Sequence, residues 1–161
     1  MLNIRPATPA DIPTILTFIH ELATYERQPD AVTATESDLQ RDGFGPTPRF
    51  TCLIAEYNEE PAGFAHYFTS YSTWLGHHGI RLEDLYVTPA YRQKGIGTAL
   101  LARLALIAIE EGCPRLEWDV LDWNELALST YRRIGATVQT EWRIMRLSGQ
   151  ALQTLAEKST L

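Results

Sequence analysis

Apolar residues recur along the chain at two spacings, and the switch between them lays out its elements. Ile12, Ile15, Leu16, Ile19, Leu22 and Ala23 stand three and four residues apart, which predicts a helix with one buried stripe and with His20, Glu21 and Thr24 turned outward. Thr8-Pro9-Ala10-Asp11 just before it supplies an N-cap, a proline at the first helical position and an acid at the capping-box site. The helix is expected to end near Tyr25-Glu26, and Asn3-Ile4-Arg5-Pro6 ahead of it reads as a short strand. A second cap, Thr35-Glu36-Ser37-Asp38, predicts a shorter helix that Asp42-Gly43-Phe44-Gly45-Pro46 stops with turn residues.

The spacing then changes to that of strands. Residues 50–57 and 62–72 are rich in β-branched and aromatic side chains, and Asn58-Glu59-Glu60-Pro61 between them has the chemistry of a hairpin turn. Trp74-Leu75-Gly76-His77-His78-Gly79 is expected to be a loop, followed by a buried strand at 80–87. An amphipathic helix at 96–111 ends at Gly112 and Pro114, a strand covers 116–120, and a helix at 125–134 closes at Gly135. A last strand is predicted at about 137–147. Ser148 then caps a short helix with Ala151, Leu152, Leu155 and Ala156 on one side. Hairpins mixed with crossovers give an α/β fold with a mixed sheet.

Length and composition narrow the class. A chain of 161 residues with 45% apolar content fits one domain covering 1–161. No stretch approaches the ~18 apolar residues that span a bilayer, and the start MLNIRPATPADIP lacks the order of a signal peptide, so a cytoplasmic protein is expected. Cys52 and Cys113 read as buried small hydrophobes in a reducing compartment. A net charge of −6 and a pI near 5.2 argue against nucleic acid and suit cationic or neutral small partners. His20, His66, His77 and His78 have no metal spacing with cysteines or acids and read as surface or loop residues, so no metal is expected. The four tryptophans read as packing anchors, with Trp74 placed where it could border a cleft.

The chemistry sits where the strand at 80–87 runs through a short loop into the helix at 96–111. Gly95 and Gly97 at the helix start let a ligand approach the backbone, and the first-turn N–H groups carry the positive end of the helix dipole. A diphosphate accepts several such N–H bonds, with Arg92 and Lys94 adding charge at the rim. A nucleotide P-loop needs Gly-Lys-Ser/Thr, but Thr98 follows Gly97 directly. A dinucleotide fingerprint needs a third glycine where Leu100 stands.

Arg92-Gln93-Lys94-Gly95-Ile96-Gly97 resembles the R/Q-x-x-G-x-G/A acetyl-CoA loop of the GNAT superfamily of N-acetyltransferases. Arg5-Pro6-Ala7-Thr8, Glu21-Leu22-Ala23, Tyr25-Glu26, Leu82-Glu83-Asp84, Trp123-Asn124-Glu125 and Tyr131-Arg132-Arg133-Ile134-Gly135-Ala136 extend the likeness to the diamine (spermidine/spermine-type) subgroup. The resemblance implies a twisted, mostly antiparallel mixed sheet with helices on both faces, acetyl-CoA as co-substrate, a small amine, namely a polyamine or diamine, as acceptor, and a homodimer.

It also implies roles. Backbone groups of Leu85, Tyr86 and Val87 would hold the pantetheine arm, Arg92, Gln93, Lys94, Gly95, Ile96, Gly97 and Thr98 the diphosphate, and Asn124, Glu125, Leu126 and Ala127 would flank the pantetheine. Tyr131 becomes the general acid for the departing thiolate, which suits a phenol of ordinary pKa ~10 that stays protonated at neutral pH. Glu83 becomes the amine contact. Strand alternation puts Glu83 and Asp84 on opposite faces, so only one is expected to line a cleft. Tyr25, Glu26, Glu117, Trp118 and Asp119 match further polyamine contacts, an acidic and aromatic wall for ammonium groups. The chain departs from the subgroup in a shorter 136–142 segment, where only Glu141 is acidic, and in Leu126-Ala127-Leu128. A different acceptor, such as a lysine-like amino acid, or a silent acyl-CoA-binding module are the competing readings.

Overall fold

The computed structural model describes residues 1–159; positions 160 and 161 of the expected domain lie outside the described residues. The chain forms two compact units, Met1–Leu121 and a second from Asp122 onward. In the first, β1 (Leu2–Pro6), β2 (Thr51–Tyr57), β3 (Glu60–Ser72), β4 (His77–Val87) and β5 (Leu116–Trp118) form one sheet in that order. All neighbours are antiparallel except β4 and β5, which run parallel.

The helices follow their sequence signals. α1 (Ile12–Tyr25) begins where Thr8, through its N–H and Oγ1, donates to Asp11 Oδ2 at 2.7 and 2.9 Å. Arg5 grips the same carboxylate with two N–H groups at 2.8 Å each, and its Nε reaches Glu56 Oε1 at 2.8 Å. This clamp ties β1 to β2 and to the entry of α1. The guanidinium of Arg5 holds the Asp11 carboxyl down at about 2, against desolvation, so its stabilising contribution is present above the ordinary carboxylate range and is lost as pH falls through about 2. α2 (Glu36–Phe44) is capped by Thr35, whose hydroxyl oxygen accepts from the Asp38 N–H.

Both faces of the sheet are covered. Ile12, Ile15 and Phe18 of α1 and Leu39 of α2 pack with Cys52, Ile54, Phe64 and Tyr86 on one face. The alternate residues Leu53, Ala55 and Ala65 are also buried, and α3 (Ile96–Glu110) brings Leu100 and Leu104 to the sheet. In the second unit, α4 (Glu125–Arg133) starts at Asn124, whose Oδ1 accepts from the Ala127 N–H at 3.2 Å, and α5 (Gly149–Ala156) follows Ser148.

Three expectations are corrected. β4 begins at His77, three residues early, so His77 and His78 stand in a strand and only a tight turn with Gly76 at φ 64° joins it to β3. His66, read as surface or loop, lies in β3 and is half-buried. Residues 137–147 do not form a strand. That stretch has β-propensity, yet Trp142, Ile144 and Met145 are 70%, 69% and 89% exposed, and propensity without a ladder partner does not hold a strand.

Candidate active site

The first unit concentrates the predicted site where β4 parts from β5. The parallel ladder pairs Ile80–Leu82 with Leu116–Trp118 and stops there. From Glu83 to Val87, β4 keeps β3 on one side and has no strand on the other among the described residues. The outer edge of Leu85, Tyr86 and Val87 is therefore open to an extended ligand that adds hydrogen bonds to it.

A bulge marks the parting point. Asp84 faces His66 and Leu82 faces Tyr67, so Glu83 is the extra residue in β4. The bulge interrupts the period of two at Glu83, and the charge of Glu83 acts on the neighbouring Asp84. Tyr86 belongs to the cluster under α1, and Asp84, two residues before it, shares that face.

Asp84 is the group that sequence reasoning passed over. Burial, then the charges of Glu83 and Glu26, push its carboxyl up to about 6. Glu26, at the C-cap of α1, is itself raised by burial. His66 across the ladder adds no positive charge to relieve Asp84, because burial lowers its imidazole to about 4. Its Nδ1 is buried without a hydrogen-bond partner, and its ring packs on Phe50 with centroids 4.2 Å apart. The only sequence signal for Asp84 is the doublet Glu83-Asp84; its environment comes from α1 and β3.

The Gly95 loop borders this place. Gln93 and Gly95 take left-handed backbone angles, φ 62° and 77°, the pattern that gathers N–H groups into anion-binding concavities ahead of a helix N-terminus. Gly95 caps α3 without a side-chain hydrogen bond, and a Cβ added at Gly95 would meet nothing within 4 Å. At Gly97 the nearest atom to such a Cβ is Val87 Cγ2, at 3.8 Å. Open space over uncapped N–H groups fits the diphosphate of acetyl-CoA. Arg92 lies over the Tyr25 ring at 4.7 Å and the Tyr86 ring at 5.8 Å, and its Nε donates to the Val87 carbonyl at 3.0 Å. Lys94 lies over Tyr57 at 4.6 Å and Tyr91 at 5.2 Å.

The structure thus brings Tyr25, Glu26, Glu83, Tyr86 and Arg92 of the predicted set together, with Asp84 added. Glu117 and Asp119 have other engagements: Arg115 Nε lies 3.0 Å from Glu117, and Arg81 pairs with Asp119. Trp118 is half-buried in β5. In the second unit, Asn124, Ala127 and Tyr131 recur at three- and four-residue spacing and so share one face of α4, with Tyr131 half-buried, while Leu126 is exposed and Glu125 reaches Arg132 at 3.8 Å.

The chain is similar to known acetyltransferases over nearly its whole length. A bovine (Bos taurus) thialysine N-epsilon-acetyltransferase is 42% identical, with 96% of this chain and 97% of the relative aligned. A human (Homo sapiens) spermidine/spermine N(1)-acetyltransferase-like protein 1 is 40% identical over 96% of this chain and 24% of its own length. A solved Vibrio cholerae integron cassette protein superposes with a TM-score of 0.80 at 30% identity, covering 98% of each chain. The model of the acetyltransferase (GNAT) family matches residues 15–136, from within α1 to just past α4, and the chain is therefore a member of the GNAT acetyltransferase family.

Proposed function

We propose that this enzyme transfers the acetyl group of acetyl-CoA directly to a primary amine of a small diamine or polyamine. The observation that carries it is the Glu26, Glu83 and Asp84 group at the bulge where β4 parts from β5, beside the Gly95 loop. Members of the family use acetyl-CoA. The N–H groups of the Gly95 loop bind its diphosphate, the open edge of Leu85, Tyr86 and Val87 orients the pantetheine arm, and Asn124, Glu125, Leu126 and Ala127 flank it. Residues 1–161 act as one domain, a reading supported by the family match that crosses the division between the two units.

An ammonium group is not a nucleophile, so the amine must lose a proton before it attacks the thioester carbon. Glu83 holds the amine by charge, and Asp84 takes the proton directly or through a water. A carboxyl near 6 suits that task, being mostly ionised at pH 7 while still basic enough to accept. As the carbon–sulfur bond breaks, Tyr131 gives its phenolic proton to the thiolate. Tyr25 and Glu26 receive the second ammonium of a diamine.

A matched panel of amines with thiol detection tests the acceptor. A diamine or polyamine is expected to exceed a monoamine in kcat/KM, with the gap narrowing as salt screens the attraction over a Debye length of ~10 Å at 0.1 M. Glu83→Gln raises KM most for the dication. Activity climbs with pH through about 6 as Asp84 ionises, and further towards pH 9 as amines deprotonate; Asp84→Asn removes the lower step. Equal turnover of mono- and diamines without a salt effect overturns the diamine reading. A second acceptor, a lysine-like amino acid, is favoured by the thialysine relative that aligns over nearly the whole chain. Preference for thialysine over spermidine in the same panel decides for it.

The enzyme is also proposed to be a cytoplasmic homodimer. No helix among the described residues is long and apolar enough to cross a membrane. Exposed Trp142, Ile144, Met145, Leu152 and Leu155 offer apolar surface to share. Sedimentation is expected to give about twice the 18.2 kDa chain mass at micromolar concentration; a species of single-chain mass refutes the dimer.

A further inference from the structure

At the end of α3 remote from the Gly95 loop stand three side chains with no place in acetyl transfer. His78 lies near the start of β4, and Glu111 and Cys113 flank Gly112 just past the last turn of α3. An imidazole nitrogen, a carboxylate oxygen and the thiol sulfur from these residues all lie within 4.8 Å of one another. Their separation in sequence hides them from any spacing rule.

The backbone carrying them is well fixed. The N–H groups of Glu111, Gly112 and Cys113 donate to the carbonyls of Ile107, Ile109 and Ala108 at 2.9, 3.1 and 2.7 Å. Gly112, at φ 70°, makes the reversal that turns Cys113 back towards the sheet. On the other side, the His77 ring stacks on His78 with centroids 4.6 Å apart, and its Nδ1 lies 3.1 Å from the His78 carbonyl oxygen. A helix end and a strand thus hold the three donors.

The donor set selects the ligand. Calcium and magnesium take oxygen donors, whereas one sulfur, one nitrogen and one carboxylate oxygen suit a borderline-soft dication. Tetrahedral zinc with bonds of about 2.0–2.3 Å places its donors roughly 3.3–3.8 Å apart. Closing to that spacing needs a movement of about 1 Å, within reach of the exposed Glu111 and half-exposed His78 side chains. The last carbonyls of α3 carry the negative end of the helix dipole, which favours a cation here. Binding a dication forms the metal–sulfur bond and releases the thiol proton to solvent, leaving a thiolate and a carboxylate to balance the two charges.

We propose that His78, Glu111 and Cys113 form a binding site for one borderline-soft divalent cation of the zinc type, with water completing the tetrahedron. The site lies about 22 Å from the Gly95 loop, the length of the 15-residue α3 at 1.5 Å per residue. Its effect is therefore on stability, by fastening the end of α3 to β4, and leaves the chemical step alone.

Co2+ added to the untagged, metal-stripped chain tests this. One equivalent is expected to bind, with d–d bands of tetrahedral cobalt and a near-ultraviolet thiolate-to-cobalt band, and Zn2+ is expected to displace it. Zn2+ at about 100 times its Kd raises Tm by about 5–10 °C. Cys113→Ser abolishes the thiolate band. His78→Ala and Glu111→Gln, which alter less buried positions, each weaken Co2+ binding by at least about 100-fold and keep the Tm of the metal-free chain. Absence of the thiolate band in the unaltered protein, or unchanged Co2+ affinity in both His78→Ala and Glu111→Gln, overturns the proposal.

Discussion

Replacing Tyr131 by phenylalanine is expected to lower kcat by about 10²–10⁴-fold while acetyl-CoA affinity stays nearly unchanged. The substitution removes one oxygen and its proton and keeps the ring, so packing around α4 is preserved. A thiolate leaving without a proton is a far poorer leaving group than a thiol, and one positioned acid contributes an effect of that size. The carbonyl of Tyr131 also accepts from the N–H of Ala136 at 3.0 Å, a contact that holds the end of α4 and survives the change. The check is pre-steady-state release of CoA thiol, which isolates chemistry from product release. A chemical step of unaltered rate would reduce Tyr131 to a packing residue. Binding isotherms for acetyl-CoA on the same variant separate loss of chemistry from loss of the co-substrate.

The second large effect lies at the loop. Gly97→Glu is expected to weaken acetyl-CoA binding by at least about 100-fold, because two or more charge-assisted bonds from N–H groups to the diphosphate are lost or opposed, at ~1.5–3 kcal/mol each. The fold itself tolerates a side chain here, since a Cβ would meet only Val87 Cγ2 at an ordinary 3.8 Å. Gly97→Ala is the control, with the added methyl and without the charge. Calorimetry reads the affinity and thermal unfolding confirms the fold. Unchanged affinity in the glutamate variant would remove the diphosphate from this loop.

The Gly95 loop can be picked out along the chain because the elements that carry it have local signals, whereas Tyr131 is marked by the resemblance to the diamine subgroup. The stripe and cap of α1, the Thr35 cap of α2, the Gly95 start of α3 and the Asn124 start of α4 are each set by neighbours within four residues, through helical spacing and through side chains that satisfy nearby N–H groups. The loop before α3 is legible for the same reason: glycine freedom and helix dipole belong to consecutive residues.

Asp84 is not legible in this way, and neither is the cluster at His78. A carboxyl pushed up to about 6 needs burial plus the charges of Glu83 and of Glu26, nearly sixty residues earlier in the chain. The burial of Asp84 depends on which elements fold over it, and the meeting of His78 with Glu111 and Cys113 depends on where β4 pairs.

By itself, the sequence determined the helices, their ends, the phosphate loop and the α/β class, since each rests on propensity, periodicity and capping among near neighbours. Only the tertiary structure decided where the strands pair. It put the bulge at Glu83, ended the β4–β5 ladder at Leu82 and Trp118, drew His77 and His78 into β4, and left 137–147 without strand structure. A strand's hydrogen bonds lie on another segment of chain, so register, edge and bulge are properties of the pair, and no single stretch of residues contains them.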